Sequence, residues 1–228
     1  MAGFMRSILP SFTRLTFRIA ALVAFLGALA PSHLGTVWAA EPIRVLAFGD
    51  SLTAGYGLAQ QDTLTTRLAD ALNKMGRPVT MINGGVSGDT TADGVTRLDW
   101  SLADKPQIMI LALGANDMLR GLDPKITRAN LEAIIQKAKA AGVEIVLAGM
   151  VSPANLGSEY KAAFDAIYPE LAKAHNLLFM PFLLQDVAQD SALNQADGIH
   201  PNGNGVAIIV RNLLPYVTQA MDRLDGAS

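Results

Sequence analysis

Ile108-Met109-Ile110-Leu111-Ala112-Leu113 is an unbroken run of six apolar residues. Its length suits a strand, and with no polar residue at alternate positions both faces must be covered. A strand of that kind belongs to a parallel sheet with helices packed on each side. The flanking sequence supplies the other layers. Arg44 to Phe48 reads as a buried strand, and Leu64, Leu68 and Leu72 then recur at helical spacing, with Asp62 placed as the cap and Gly76 as the stop. Val79 to Ile82 reads as a second strand, followed by a helix after Thr90. Beyond the long run, Leu131, Ile134, Ile135 and Ala138 form the stripe of a packed helix that Gly142 ends. Glu144 to Met150 and Leu177 to Met180 are further strands. Between them, Phe164, Ile167, Tyr168 and Leu171 mark a helix that Pro169 must kink or restart. Ile209, Leu213, Val217 and Leu224 trace a closing helix from Val206 onward, disturbed near Pro215. The expectation is a single α/β domain over residues 40–228.

Residues 1–39 read differently. Arg6, Arg14 and Arg18 precede a twelve-residue apolar stretch, Ile19 to Ala30, and the first acidic residue is Glu41. A bilayer span needs about twenty residues, so the stretch is too short for an anchor. A basic start, a short apolar middle and the small residues Ala39-Ala40 describe a secretory leader, with cleavage expected after Ala39. The protein is then periplasmic or secreted, with no stable membrane insertion after cleavage. Residues 40–228 keep 15 of the 18 basic groups and all 20 acidic ones, a net charge of −5. No cationic footprint for nucleic acid exists in that balance. Nothing in the sequence indicates obligate assembly, so a monomer is expected.

The absence of cysteine excludes disulfides, thiolate metal sites and a cysteine nucleophile. Without the leader only His175 and His200 remain, far apart, and no calcium-loop pattern is present. No metal or cofactor is expected.

Parallel α/β sheets place their ligand sites beyond the carboxyl ends of the strands, where five polar segments fall. Gly49-Asp50-Ser51-Leu52 follows the first strand directly, so Ser51 is placed to expose its hydroxyl at the sheet edge, although serines there also serve as helix caps. A serine nucleophile needs a base, and the base needs a carboxylate. Asp197 and His200, three residues apart on a turn, fit those parts; a loop histidine with a capping aspartate is the alternative. His175 is the competing base, but its place at a helix end suits dipole compensation. Asn83 to Thr90 offers backbone amides and Gly114-Ala115-Asn116-Asp117 a side-chain amide, the donor types that hold an oxyanion. The glycine-rich stretch also invites a phosphate reading, yet it lacks both phosphate-loop spacings.

Taken together, these segments resemble the SGNH, or GDSL-type, family of serine esterases, and most closely its bacterial thioesterase I, lysophospholipase L1 and arylesterase group. Gly49 to Gly57, Val86 to Thr91, Gly114 to Asp117 and Asp197 to Asn202 resemble its four blocks in order and spacing. The resemblance implies a flavodoxin-like three-layer α/β/α fold with a five-stranded parallel sheet. It assigns Ser51 as nucleophile, His200 as base and Asp197 as orienting acid, with oxyanion donors from the amides of Ser51 and Gly88 and the side chain of Asn116. Substrates would be esters and thioesters of small to medium acyl chains, aryl esters and lysophospholipids. Residues Met118, Leu119 and Leu122, with the loop Ser152 to Gly157, are candidates to wall an acyl groove.

Two other readings use the same residues. A carbohydrate acetylesterase on this fold would want an aromatic sugar platform, and only Trp100, with Trp38 if retained, is available. A flavodoxin-like ligand-binding protein would not need the Asp197–His200 pair, and an absorbance scan for flavin separates it.

Overall fold

The computed structural model describes Met1 and residues 41–226. The expected leader lies outside the described residues. Strands β1 (Ile43–Gly49), β2 (Val79–Gly85), β3 (Ile108–Ala112), β4 (Glu144–Ala148) and β5 (Leu178–Met180) form one parallel sheet in the order β2-β1-β3-β4-β5. Helices α1 (Ser51–Ala54) and α2 (Leu64–Lys74) follow β1, and α3 (Thr91–Leu102) follows β2. Next come α4 (Ala115–Leu119) and α5 (Pro124–Ala140) after β3, α6 (Ser158–Asp165) and α7 (Ile167–His175) after β4, and α8 (Gly203–Gly226).

The period of two along each strand divides the core. Val45, Ile108, Ile110 and Val146 face one way and pack on α2 and α8 through Leu68, Leu72, Leu213 and Val217. Leu46, Phe48, Met109, Leu111 and Leu147 face the other way, onto Leu98 of α3, Leu131 and Ile134 of α5, and Leu171 of α7. Every residue of β3 is buried. That is the three-layer arrangement the apolar run requires, since each fully buried Leu or Ile contributes about 1.5–3 kcal/mol only if both faces are covered.

Local details refine the sequence reading at the α2 cap, at Pro169 and along the last helix. Thr63, not Asp62, caps α2, accepting the Thr66 N–H at 3.4 Å, while Asp62 closes a preceding 3₁₀ turn and pairs with Arg67. Of the two outcomes expected at Pro169, a kink or a restart, the chain takes the restart: α6 ends at Asp165, and the proline falls in the first turn of α7, where its missing N–H costs nothing. The last helix starts at Gly203 because the Asn202 side chain accepts the N–H groups of Asn204 and Gly205. It then runs through Pro215, where the Thr218 hydroxyl donates to the carbonyls of Leu214 and Pro215.

β1 and β3 are neighbours, but the chain leaves them for opposite faces of the sheet. The crevice at such a switch point is where open α/β sheets hold ligands. Register pairs Gly49 with Ala112, so the turns beginning at Asp50 and Leu113 open side by side on that crevice.

Candidate active site

β1 ends at Gly49, and Asp50 turns the chain into α1 by accepting the Leu52 N–H on Oδ1 at 3.0 Å. Ser51 is the first residue of that one-turn helix, so its N–H has no intrahelical acceptor. The turn fits only because β2 ends in glycine. A Cβ on Gly85 would lie 2.2 Å from the Ala54 nitrogen.

The loop between β5 and α8 brings in the partners. Asp197 Oδ1 accepts the N–H groups of Ile199 and His200 at 2.9 and 3.0 Å, which leaves Oδ2 for His200 Nδ1 at 2.7 Å. The carboxylate assigns the ring proton to Nδ1. His200 Nε2 is thereby an acceptor, 2.9 Å from Ser51 Oγ, a residue 149 positions away in the chain. The His200 N–H, then the Ile199 N–H and the imidazole, hold the Asp197 carboxyl down at about 2. His175 stands elsewhere, at the end of α7 beside Glu132.

Asn116 lies in the short helix after β3. Its Nδ2 donates to the Asp89 carbonyl at 3.0 Å and stands 3.4 Å from Asp50 Oδ2. The first contact pins the β2–α3 loop, which carries Gly88, against α4, and Arg120 adds a bond to the Gly88 carbonyl at 2.8 Å. The Gly88 N–H has no acceptor among the described residues. Asp50 is 1 % exposed, and burial pushes its carboxyl up to about 6 despite the Leu52 N–H and the neighbouring His200.

Three residues that support this constellation receive no role from the sequence. Arg97 donates to the Asp89 carboxylate (2.6 Å) and to the carbonyls of Gly84 and Gly49 (2.8 Å each), tying the ends of β1 and β2 to the Gly88 loop, with its guanidinium 4.1 Å from the Phe48 ring centre. Its one sequence signal is a charge at i+3 from Gly94, on the stripe that also buries Leu98 and Ser101. Asp117 is fully buried and accepts the N–H and hydroxyl of Thr91 (2.8 and 2.5 Å) and the Thr127 hydroxyl (3.2 Å). Asp50 is the third; only tertiary packing reveals that it is buried.

A cavity of about 160 Å³ is lined by Ser51, Asn116 and His200 together with the apolar Met118, Leu119, Met150, Leu184 and Ile199. Leu122 and the 152–157 loop are not part of it. The Leu122 carbonyl accepts the Tyr160 hydroxyl, and Leu156 and Gly157 border a separate cleft with Asp123 to Lys125. That cleft is larger, about 660 Å³, but holds none of the groups just described. Among the described residues no cluster of three or more His, Asp or Glu side chains converges as metal ligands would.

Hydroxyl, imidazole and carboxylate in hydrogen-bonded series at a sheet edge define the serine-hydrolase class of site. The model of the GDSL-like lipase/acylhydrolase family matches residues 47–208, and the chain belongs to that family. It is 40% identical over 159 residues to an arylesterase of Vibrio mimicus, an alignment covering 69% of this chain and 80% of the relative. It is 39% identical over 168 residues to thioesterase 1/protease 1/lysophospholipase L1 of Escherichia coli K12, covering 73% and 79%. Among solved structures, the SGNH-hydrolase family esterase AlinE4 superposes with a TM-score of 0.67 at 43% identity, covering 79% of this chain and 97% of that one. The protein is an enzyme of the serine-esterase class with the SGNH-hydrolase fold.

Proposed function

We propose that the protein cleaves carboxylic esters and thioesters of small to medium acyl chains, aryl esters and lysophospholipids by two-step acyl transfer at Ser51. The observation that carries this reading is the relay of 2.9 Å from Ser51 Oγ to His200 Nε2 and 2.7 Å from His200 Nδ1 to Asp197. Ser51 Oγ attacks the carbonyl carbon while Nε2 takes the hydroxyl proton. Asp197, ionised down to about pH 2, stabilises the imidazolium through Nδ1–H. Negative charge on the carbonyl oxygen is met by the N–H groups of Ser51 and Gly88 and by Asn116 Nδ2, whose long 3.4 Å bond to Asp50 Oδ2 is the one given up to the oxyanion while the bond to Asp89 is kept. The imidazolium returns the proton to the departing oxygen or sulfur. Water, deprotonated by the same nitrogen, then releases the acid and regenerates Ser51.

The apolar walls at Met118, Leu119, Met150, Leu184 and Ile199 support an acyl chain as the group held. The names of the two curated relatives supply the ester, thioester and lysolipid classes. We further propose that residues 1–39 are an export leader cleaved after Ala39, and that residues 40–228 act as a single-domain monomer in the periplasm or outside the cell. N-terminal sequencing of the protein from the cell envelope is expected to begin at Ala40. The activity is tested on p-nitrophenyl esters from acetate to palmitate, beside Ser51→Ala. Hydrolysis that disappears in the variant is expected; equal rates for both proteins would overturn the mechanism.

A further inference from the structure

One aromatic ring near the relay has no place in the core. Tyr56 is 53 % exposed, yet its ring lies on the imidazole of His200, with centroids 4.6 Å apart and planes inclined at 39°. Its position is built. The N–H groups of Gly55 and Tyr56 both donate to the Ser51 carbonyl at 3.1 Å, so the turn that carries the ring is anchored on the serine itself. Gly55 and Gly57 on either side have φ of 83° and 71°, left-handed values that a side chain adopts only under strain. A Cβ on Gly57 would also stand 2.2 Å from Gln195 Oε1.

Gln195 completes the clamp. Its side-chain amide donates to the carbonyls of Tyr56 (2.8 Å) and Pro201 (3.0 Å), and its own N–H donates to the His200 carbonyl (2.7 Å). The backbone bearing the ring and the backbone bearing the imidazole are therefore held by one residue. Asp197 and Ser51 occupy the two nitrogens, so a face of the ring is what remains for Tyr56.

We infer that Tyr56 is a positioning residue for the base: its ring keeps the imidazole plane aligned between Ser51 and Asp197, and its π-face favours the imidazolium formed during each proton transfer. A cation over an aromatic face within about 6 Å is attracted by the ring quadrupole. The charged and titratable groups around the imidazole are Asp197, Ser51, the buried Asp50 and Tyr56 itself. Of these, Tyr56 is the half-exposed one outside the relay, so it can be changed without disturbing a buried group. The inference rests on the Ser51–His200–Asp197 reading.

The test compares the full chain carrying Tyr56→Leu, which keeps an apolar cover without a π-face, with Tyr56→Phe, which keeps the face without the hydroxyl. On a p-nitrophenyl ester, Tyr56→Leu is expected to lower kcat by about 2–5-fold and to move the acid limb of kcat/KM about 0.4–0.7 pH unit lower. KM should be unchanged, because Tyr56 is not among the cavity walls. Tyr56→Phe should restore both values. A wild-type profile in Tyr56→Leu, a limb displaced to higher pH, or a Tyr56→Phe enzyme as impaired as Tyr56→Leu would each overturn the inference. Ser51→Ala run in parallel separates the two levels. Activity surviving in Ser51→Ala would sink the serine mechanism itself, whereas loss in Ser51→Ala with a silent Tyr56→Leu removes only the role of the ring.

Discussion

Asp50 is a carboxylate kept where burial works against it, and replacing it should reveal that cost as a function of pH. Its folded-state value is about 6 against 3.8 for a free side chain, with burial the main cause. Between those values the folded protein holds the proton more tightly than the unfolded chain does. Stability contributed by the neutral form is therefore present below pH 3.8, falls as pH rises, and is gone above about pH 6. An Asp50→Asn side chain would keep an acceptor for the Leu52 N–H but would not titrate. The stability difference, Asp50→Asn minus wild type, should grow by roughly 2–3 kcal/mol between about pH 4 and pH 7. At 1 % exposure, solvent screening gives little reason to discount that figure. Any penalty from facing an amide toward Asn116 Nδ2, 3.4 Å from Oδ2, is independent of pH and cancels in the comparison. For a domain of this size the pH-dependent part corresponds to about 5–10 °C in the unfolding midpoint. Thermal and urea unfolding followed by circular dichroism at several pH values would measure it. A difference that stays flat, or that shrinks toward neutral pH, would refute the assignment of the cost to burial of the charged form.

Other outcomes follow from the same geometry. Asn116→Ala should lose about 10²–10³ in kcat with KM little changed in steady-state ester hydrolysis, the usual consequence of removing one oxyanion donor. Asp197→Asn should lose about 10⁴ in kcat, because an amide at Nδ1 no longer enforces the tautomer that leaves Nε2 free. With its carboxyl held at about 2, the wild-type Asp197 stays ionised as pH falls through 3.8, and protonation of Asp197 should not contribute to loss of activity above that pH. Leu184→Trp should narrow the cavity and reduce kcat/KM for octanoate more than for acetate, by roughly fourfold for each methylene that can no longer be buried. Thr91→Val leaves the buried Asp117 short of a hydroxyl donor and should cost about 1–3 kcal/mol in urea unfolding.

Much of this is legible from local chemistry. The apolar run at Ile108 to Leu113, with helical stripes on either side, demands a sheet covered on both faces, because neither half of such a strand can be left in water. Serine after a first strand, with an aspartate and histidine three residues apart near the end, nominates a nucleophile and a base, although the same residue types equally suit a helix cap and a capped loop histidine. Distance along the chain hides what geometry supplies. The register of Gly49 with Ala112 sets the Asp50 and Leu113 turns side by side, and the loop before α8 returns 149 positions to put His200 on Ser51. Burial is equally invisible: nothing in Gly49-Asp50-Ser51 distinguishes a carboxylate at 1 % exposure from a solvated helix cap. Arg97 and Asp117 escape notice for a related reason, since a charge on a helix is usually solvated and only packing shows when it is enclosed. The same holds for the cavity walls, where Met150, Leu184 and Ile199 from separate loops stand in place of Leu122 and the 152–157 segment. Periodicity and residue type are properties of neighbours in sequence, so they determine the layers and nominate the chemistry. Desolvation, register and the meeting of distant loops belong to the assembled fold, and they decide which charges are enclosed, which ring lies on the histidine and where apolar walls leave a cavity beside Ser51.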